Sequence, residues 1–341
     1  MIYRSKAPLR IGLAGGGTDV SPYCDQFGGA ILNATLSLHA HATLEPTTDG
    51  KIHLFSVDKQ QQQSFDWANQ LPITGELDLL KGVYNRIQQD HPFTLPGLRL
   101  STFVDAPAGS GLGTSSTLVV AIIGAFAEML KLPLGEYDMA HYAYEIERSD
   151  LQLAGGRQDQ YAATFGGFNF MEFYGNDKVI VNPLRIKQEY LNELENNLVL
   201  YFTATTRESA SIITEQQRNV KENNTKSIEA MHQLKEQARM MKEALLVGKL
   251  GAIGEILDYG FRQKKNMAAN ISNSSIDAIY EAAIQAGATG GKISGAGGGG
   301  FMIFYCPGNT RYKVIETLNT FGGKINPYQF TQHGLTSWTA Q

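Results

Sequence analysis

Three hydroxyls in a row, Thr114, Ser115 and Ser116, follow a loop with glycine at every second position. The stretch from 107 to 116 reads P-A-G-S-G-L-G-T-S-S. Gly109, Gly111 and Gly113 let the backbone around Ser110 and Leu112 approach a ligand closely, because glycine carries no Cβ. An alternating strand pattern, Leu98 to Val104, feeds this loop, and an apolar helix pattern, Thr117 to Leu130, leaves it. Unpaired N–H groups at a helix start, reinforced by the helix dipole, make an anion site, and the hydroxyls beside them can bind phosphate or a metal. No Gly-Lys-Ser/Thr follows at the spacing of a Walker A loop, and Thr at 114 breaks a G-x-G-x-x-G pattern. A plain capped turn needs only one glycine and one hydroxyl.

Three further loops carry candidate chemistry. Ala7 to Asp19 reads A-P-L-R-I-G-L-A-G-G-G-T-D: a strand with one charged residue, Arg10, ending in three glycines and an aspartate that can accept paired hydroxyl hydrogen bonds. Its plainer reading is a snorkelling edge arginine and a turn aspartate. Ala154 to Ala162, A-G-G-R-Q-D-Q-Y-A, offers Asp159 either as a helix cap or as a carboxylate that orients and deprotonates a hydroxyl nucleophile. Glu147 upstream is a candidate Mg²⁺ ligand or a surface glutamate. Lys292 to Phe301, K-I-S-G-A-G-G-G-G-F, is expected to supply backbone alone. His39 and His41 share a strand face and read as a surface pair, with no carboxylate or cysteine placed to complete a metal site. Cys24 and Cys306 read as buried or idle thiols, and Arg262, Lys264 and Lys265 as a solvated helix face or a contact to an anionic substrate.

The elements that must position these loops spread over 341 residues, enough for two domains. Strands are expected at Leu9 to Leu13, Ala30 to Leu44, Lys51 to Val57, Leu98 to Val104 and Phe168 to Phe173, with a polar turn at Gln60 to Gln63. Helices are expected at Asp78 to Gln89, Thr117 to Leu130 and Tyr137 to Glu147. The second half opens on a strand, Leu198 to Thr203, and turns helical from Glu208 to about Leu257 with a break near Asn223 and Asn224. A helix at Ser275 to Ala286, a glycine loop at Gly291 to Gly300 and a strand at Phe301 to Cys306 complete it. The class is α+β, divided softly near Pro183 to Glu189 into 1–185 and 186–341, with the active site between the halves. There are 36 glycines, where average usage predicts about 24, and the excess is concentrated in the loops named above. With 29 basic against 33 acidic residues, nucleic-acid binding is not expected. The longest strongly apolar run, Leu118 to Ala127, is about half a membrane span. With no signal-peptide pattern and two cysteines, the chain is expected in the cytoplasm.

These four loops, in this order, resemble the GHMP kinase superfamily, and the resemblance spans nearly the whole chain. P-A-G-S-G-L-G-T-S at 107–115 is similar to its phosphate loop and G-A-G-G-G-G at 295–300 to its C-terminal motif. The resemblance implies an N-terminal ribosomal-protein-type α+β domain and a ferredoxin-like C-terminal domain, with ATP and Mg²⁺ between them. It places Asp159 on the catalytic aspartate and Arg10 on a catalytic arginine or lysine. Gly109, Ser110, Gly111, Leu112, Gly113, Thr114, Ser115 and Ser116 fall on the ATP phosphates, and Ser115 and Glu147 on Mg²⁺. The Glu147 to Asp159 spacing is one residue longer than in mevalonate kinases. Gly16, Gly17, Thr18 and Asp19, with Arg157, Gly297 and Gly298, form the implied substrate set. Gly16 and Gly17 stand where galactokinases carry a Glu–His pair, so galactose is not the expected acceptor.

Within the superfamily, S-K-A-P-L-R-I-G-L-A-G-G-G-T-D at the start and the glycine-rich close resemble the D-glycero-D-manno-heptose 7-phosphate kinases. That group implies phosphorylation of the anomeric hydroxyl to the 1,7-bisphosphate, an early step towards nucleotide-activated heptose for surface polysaccharide. The sugar phosphate would need cations, for which Lys6, Arg157, Arg262, Lys264 and Lys265 are candidates. A kinase for a fucose-like or other hexose, and a non-catalytic sugar and nucleotide sensor on the same fold, stay open. No oligomeric state is implied.

Overall fold

The computed structural model describes residues 1–205 and 209–341, so the expected helix start at Glu208 lies outside the described residues. Seven strands come first: β1 (Ile2–Ala14), β2 (Gly29–Pro46), β3 (Lys51–Ser56), β4 (Gln61–Asp66), β5 (Leu98–Val104), β6 (Phe168–Phe173) and β7 (Val179–Pro183). A second sheet follows from β8 (Leu198–Phe202), β9 (Gly290–Ile293), β10 (Phe301–Tyr305) and β11 (Lys324–Ile325), and β12 (Thr336–Ala340) closes the chain. The larger sheet runs β12-β1-β2-β5-β3-β4, with β6 and β7 branching from β2, and the smaller runs β11-β8-β10-β9.

The length of β2 organises the site. Its first half pairs with β6 (Gly29 opposite Phe173) and its second with β5 (Ala40 opposite Val104). Both β1 and β5 lie antiparallel to β2 and hence parallel to each other, so their C-terminal loops leave the sheet at the same end. Pro8 is opposite His39 and Arg10 opposite Thr35, which carries Arg10 just past the level where β5 stops at Val104. The glycine loop that follows β5 therefore runs beside Arg10.

The helix after that loop spans Thr114–Leu130, three residues earlier than its apolar pattern alone shows, because Gly113 in the left-handed region (φ 77°) ends the loop. It is buried nearly all round between the large sheet and the neighbouring Asp78–Asp90, Glu136–Glu145 and Gln158–Phe165 helices, which is why no polar face marks it. Glu147 does not end an α-helix. It lies in a π-helical turn, Ile146–Asp150, of the kind that often marks functional sites.

Three expectations on pattern change. The turn ends at Gln60, and Gln61–Asp66 is an antiparallel edge strand on β3. Its side chains are mostly exposed, so hydrophobic alternation has little to report there. The second-half helices break twice, at Asn223–Asn224 and again at Gly248, giving Ser209–Lys221, Thr225–Val247 and Ile253–Lys264. Asn224 caps the second of these by accepting the Ser227 N–H at 3.1 Å, and Gly248 ends it in the left-handed region (φ 74°). The Gly291–Ile293 part of the expected glycine loop is strand β9, leaving Ser294 to Gly300 as the loop.

Residues beyond the second sheet return to the first. β12 pairs with Ile2 to Lys6, so the 186–341 segment does not close on itself. Among the described residues no helix is long and apolar enough to cross a membrane.

Candidate active site

A cavity of about 300 Å³ opens where the loops after β1 and β5, the start of the Gln158–Phe165 helix and the β9–β10 loop meet. The phosphate-type loop forms one wall. Gly109, Gly111, Gly113, Thr114, Ser115 and Ser116 line it. Gly113 caps the Thr114–Leu130 helix without a side-chain hydrogen bond, so the first-turn N–H groups have no capping oxygen from it. Ser110 and Leu112 do not line the cavity; both are buried behind it.

The loop is clamped from two sides. Arg10 donates its backbone N–H to the Leu112 carbonyl at 3.1 Å and Nη1 to the Gly111 carbonyl at 2.6 Å. From the second sheet, Ser294 Oγ donates to the same Gly111 carbonyl at 2.8 Å, and the Phe301 N–H reaches the Ser110 carbonyl at 2.8 Å. Gly111 (φ 84°) has no room for a side chain, since a Cβ there would lie 2.5 Å from the Ser294 carbonyl oxygen.

Asp159 occupies the first turn of its helix rather than the cap. Its Oδ1 accepts from Arg10 Nε at 2.7 Å and lies 2.6 Å from Nη2, and Gln158 Nε2 adds a third contact at 3.2 Å. Oδ2 faces Gly113, where a Cβ would be 3.2 Å away. One carboxylate oxygen is thus fixed by charge and the other points at the glycine loop. Arg10 is neither an edge nor a snorkelling residue: it is 4% exposed.

Asp19 does the capping that the sequence offers to Asp159. Its Oδ2 accepts the N–H groups of Arg157 at 2.8 Å and Gln158 at 2.9 Å. Gly156 is required beside it, because a Cβ there would overlap the Asp19 carboxylate. Burial pushes the Asp19 carboxyl up from its ordinary range, against the lowering pull of the Gln158 N–H. Oδ1 remains for a ligand, since Asp19 also lines the cavity.

Glu147 is fully buried, with Oε1 accepting from Ser116 Oγ at 2.9 Å and Oε2 accepting from Gln160 Nε2 at 2.5 Å. Burial raises its carboxyl, with Arg148 and the two hydrogen bonds opposing the rise. The structure thus brings Ser116 onto Glu147, while Ser115 stands exposed on the cavity wall with no hydrogen-bond partner among the described residues. An all-oxygen donor set around a buried anion fits Mg²⁺ in chemistry.

The remaining substrate candidates divide. Gly16 and Gly17 line the cavity. Thr18 is buried below it, donating to the Gly15 and Ala30 carbonyls. The Arg157 guanidinium turns away, donating to the Tyr174 carbonyl at 2.8 Å and pairing with Asp25 and Asp177 at 3.2 and 2.8 Å. Its contribution to the site is its backbone N–H. Gly297 and Gly298 pack on Ile271, and the cavity is lined instead by Gly295 and Ala296.

Of the cations considered for the acceptor phosphate Lys264 alone reaches the cavity, and Lys292, at the head of a stretch expected to supply backbone alone, joins it. Lys264 and Lys292 both line the cavity and are each 4% exposed. Lys264 donates to the Gly295 carbonyl, and Lys292 to the Gly12 carbonyl at 2.6 Å. Burial lowers the Lys264 ammonium to about 8 and holds the Lys292 ammonium well below its ordinary value, each disfavoured also by Arg10. The β9 segment therefore supplies a side chain as well as backbone. Its sequence signal matches that of Arg10: one charge inside an otherwise apolar strand. Away from the cavity, Asp105 joins His39 and His41 with ligand atoms within 4.8 Å of one another, so a carboxylate does complement that pair.

Comparison with known proteins agrees with this architecture. The chain matches the GHMP kinases N terminal domain over 78–167 and the GHMP kinases C terminal family over 241–324. It is 50% identical over 335 residues to D-glycero-alpha-D-manno-heptose 7-phosphate kinase of Campylobacter jejuni, covering 98% of each chain. A crystal structure of a D-glycero-D-manno-heptose 1-phosphate kinase from Bacteroides thetaiotaomicron superposes with TM-score 0.85 at 46% identity, covering 99% of both chains. Lactococcus lactis galactokinase complexed with galactose shares the fold at TM-score 0.78 and 19% identity, over 98% of this chain and 95% of that one. With both domain families matched in order and close relatives aligned end to end, the chain belongs to the GHMP kinase family.

Proposed function

We propose that this kinase transfers the γ-phosphoryl group of ATP to the anomeric hydroxyl of D-glycero-D-manno-heptose 7-phosphate, giving the 1,7-bisphosphate. The observation that carries the chemistry is the Arg10–Asp159 pair, 2.6 Å apart, at the edge of the glycine loop. The acceptor is supported by the end-to-end likeness to the Campylobacter jejuni enzyme.

Asp159 Oδ2, left free by the Arg10 contacts to Oδ1, accepts the proton of the sugar hydroxyl as its oxygen bonds to phosphorus. The bond between that phosphorus and the β-phosphate bridging oxygen breaks, and ADP carries away the electron pair. Arg10 holds Asp159 Oδ1 through its two guanidinium contacts and adds positive charge beside the group in transfer. N–H groups of the cavity-lining Gly109, Gly111, Gly113, Thr114, Ser115 and Ser116 hold the nucleotide phosphates, and Asp19 Oδ1 accepts from a sugar hydroxyl. Positioning and electrostatics supply most of the acceleration in such a site. Glu147 and Ser115 would hold Mg²⁺, which when bound neutralises charge between the terminal phosphates of ATP.

The names of the two heptose kinase relatives differ in where the acceptor already bears its phosphate, so the test has to separate both. ADP release is followed with ATP and Mg²⁺ against heptose 7-phosphate, heptose 1-phosphate, free heptose, fucose, galactose and mannose. Phosphorus NMR of the product then locates the new ester. Turnover confined to heptose 7-phosphate, with a new anomeric phosphate, is the expected result. Preference for heptose 1-phosphate or a free hexose would overturn the acceptor while keeping the kinase.

A further inference from the structure

Lys264 ends the Ile253–Lys264 helix and Lys292 lies in β9, two elements of the chain's second half that pack on each other and both reach the cavity wall. Each is 4% exposed, and an ammonium group has three protons to donate. Each uses one on a backbone carbonyl, Gly295 for Lys264 and Gly12 for Lys292. Among the described residues no carboxylate lies within ion-pair distance of either. The charged groups that act on Lys292 are Lys264 and Arg10, while Lys264 senses Arg10 and, in the attractive sense, Asp19. Arg10 is already committed to Asp159. Neighbouring buried cations with no carboxylate partner are unfavourable unless an anion joins them.

The other cationic candidates are spent or remote. Arg262 is 75% exposed and pairs with Asp258, Lys265 pairs with Asp277, and Arg157 with Asp25 and Asp177. None of these, nor Lys6, lines the cavity. At Gly16 a Cβ would lie 3.6 Å from Lys264 Nζ, and at Gly12 one would lie 3.8 Å from Lys292 Nζ. Both ammonium groups therefore face the glycines of the β1 strand and its loop, on the side of the cavity where the acceptor is proposed to bind.

We infer that Lys264 and Lys292 together form a phosphoryl-binding subsite, the place in this cavity where a phosphate monoester or a phosphoryl group in transfer meets buried positive charge. This rests on the kinase reading above and names how that site would recognise its phosphorylated acceptor. Two sources supply the same chemistry, the phosphate already on the acceptor and the γ-phosphoryl of ATP.

The test uses the full chain with Lys264→Met and Lys292→Met, Lys→Arg at each position as rescue, and Lys265→Met as a control on an exposed, paired lysine. Thermal melting establishes that each variant folds. Affinity for inorganic phosphate is measured by calorimetry without catalysis, and kcat and KM are measured with heptose 7-phosphate and free heptose. Loss of charge-assisted hydrogen bonds predicts about 10- to 100-fold weaker phosphate binding in each Met variant, partly restored by Arg. A rise in KM confined to heptose 7-phosphate assigns the subsite to the acceptor's phosphate. An equal fall in kcat for both sugars assigns it to the transferring group. Folded Met variants with wild-type phosphate affinity and kinetics overturn the proposal. If the wild-type chain ignores heptose phosphate yet loses phosphate affinity on mutation, the subsite stands and the acceptor falls.

Discussion

Replacing Lys264 by Met is predicted to stabilise the ligand-free protein while weakening its function. Burial lowers the Lys264 ammonium from its ordinary 10.5 to about 8. At roughly 1.4 kcal/mol per unit, keeping that charge in the folded state costs about 3 kcal/mol at pH 7. Methionine fills a similar volume without charge, but the Gly295 carbonyl loses its donor, which takes back about 1 kcal/mol. The net gain is about 2 kcal/mol, on the order of 3 °C in melting temperature for a chain of this size. The sign with pH is a second check. Between pH 8 and 10.5 the unfolded chain binds more protons at this lysine than the folded one does, so wild-type stability from this group rises with pH. The advantage of Lys264→Met is therefore full below about pH 8 and fades towards pH 10.5. Thermal melts of both proteins at pH 7.0, 8.5 and 10.0 read the difference directly, because groups common to both cancel. Equal stability at pH 7, or a gain that does not shrink with pH, would refute the idea of an uncompensated buried cation.

Two further outcomes follow from the cavity. Asp159→Asn keeps the shape but removes the proposed proton acceptor and the charge partner of Arg10. Its kcat should fall about 10²- to 10⁴-fold while affinity for a non-hydrolysable ATP analogue stays within a few fold, read by ADP release and calorimetry. Gly111→Ala forces a side chain into a left-handed backbone and against the Ser294 carbonyl, so stability should drop by about 1–3 kcal/mol in a denaturant titration; wild-type stability would mean the two loops are free to separate.

How much of this was legible in the sequence depended on what kind of signal each residue left. Glycine at 109, 111 and 113 signals left-handed backbone on sight, and all three have positive φ. The β5 strand was readable to the residue because Leu98 to Val104 alternates between buried and more exposed positions. Gln61–Asp66 was not, since its register is set by pairing with β3 rather than by burial. At the site, Arg10 stood out as a charge in an apolar strand, and the same rule read on G-G-K-I-S would have found Lys292. Asp19 as a cap for a helix that starts well over a hundred residues later was beyond any local rule. So was the turning away of Arg157, whose carboxylate partners Asp25 and Asp177 flank it only in three dimensions.

The placement of charge in the cavity also separates chemistry from recognition. Arg10, Asp159, Glu147 and the glycine loop all belong to the first half of the chain and bind one another, leaving single atoms free: Oδ2 of Asp159 and Oδ1 of Asp19. Lys264 and Lys292 come from the second half and hold nothing but backbone carbonyls. The halves are joined at the glycine loop by the Ser294 to Gly111 and Phe301 to Ser110 hydrogen bonds, which fix the distance between the two sets of groups. If the proposed subsite holds the acceptor's phosphate, a substitution at either lysine changes which acceptor is tolerated without removing a contact of the Arg10–Asp159 pair. Substitutions at Asp159, Arg10 or Gly111 have no such latitude, because each packs on or belongs to the glycine loop proposed to hold the phosphates. On this division, acceptor choice in the fold can diverge through the second sheet and its helices while the transfer step stays where β1 and β5 put it.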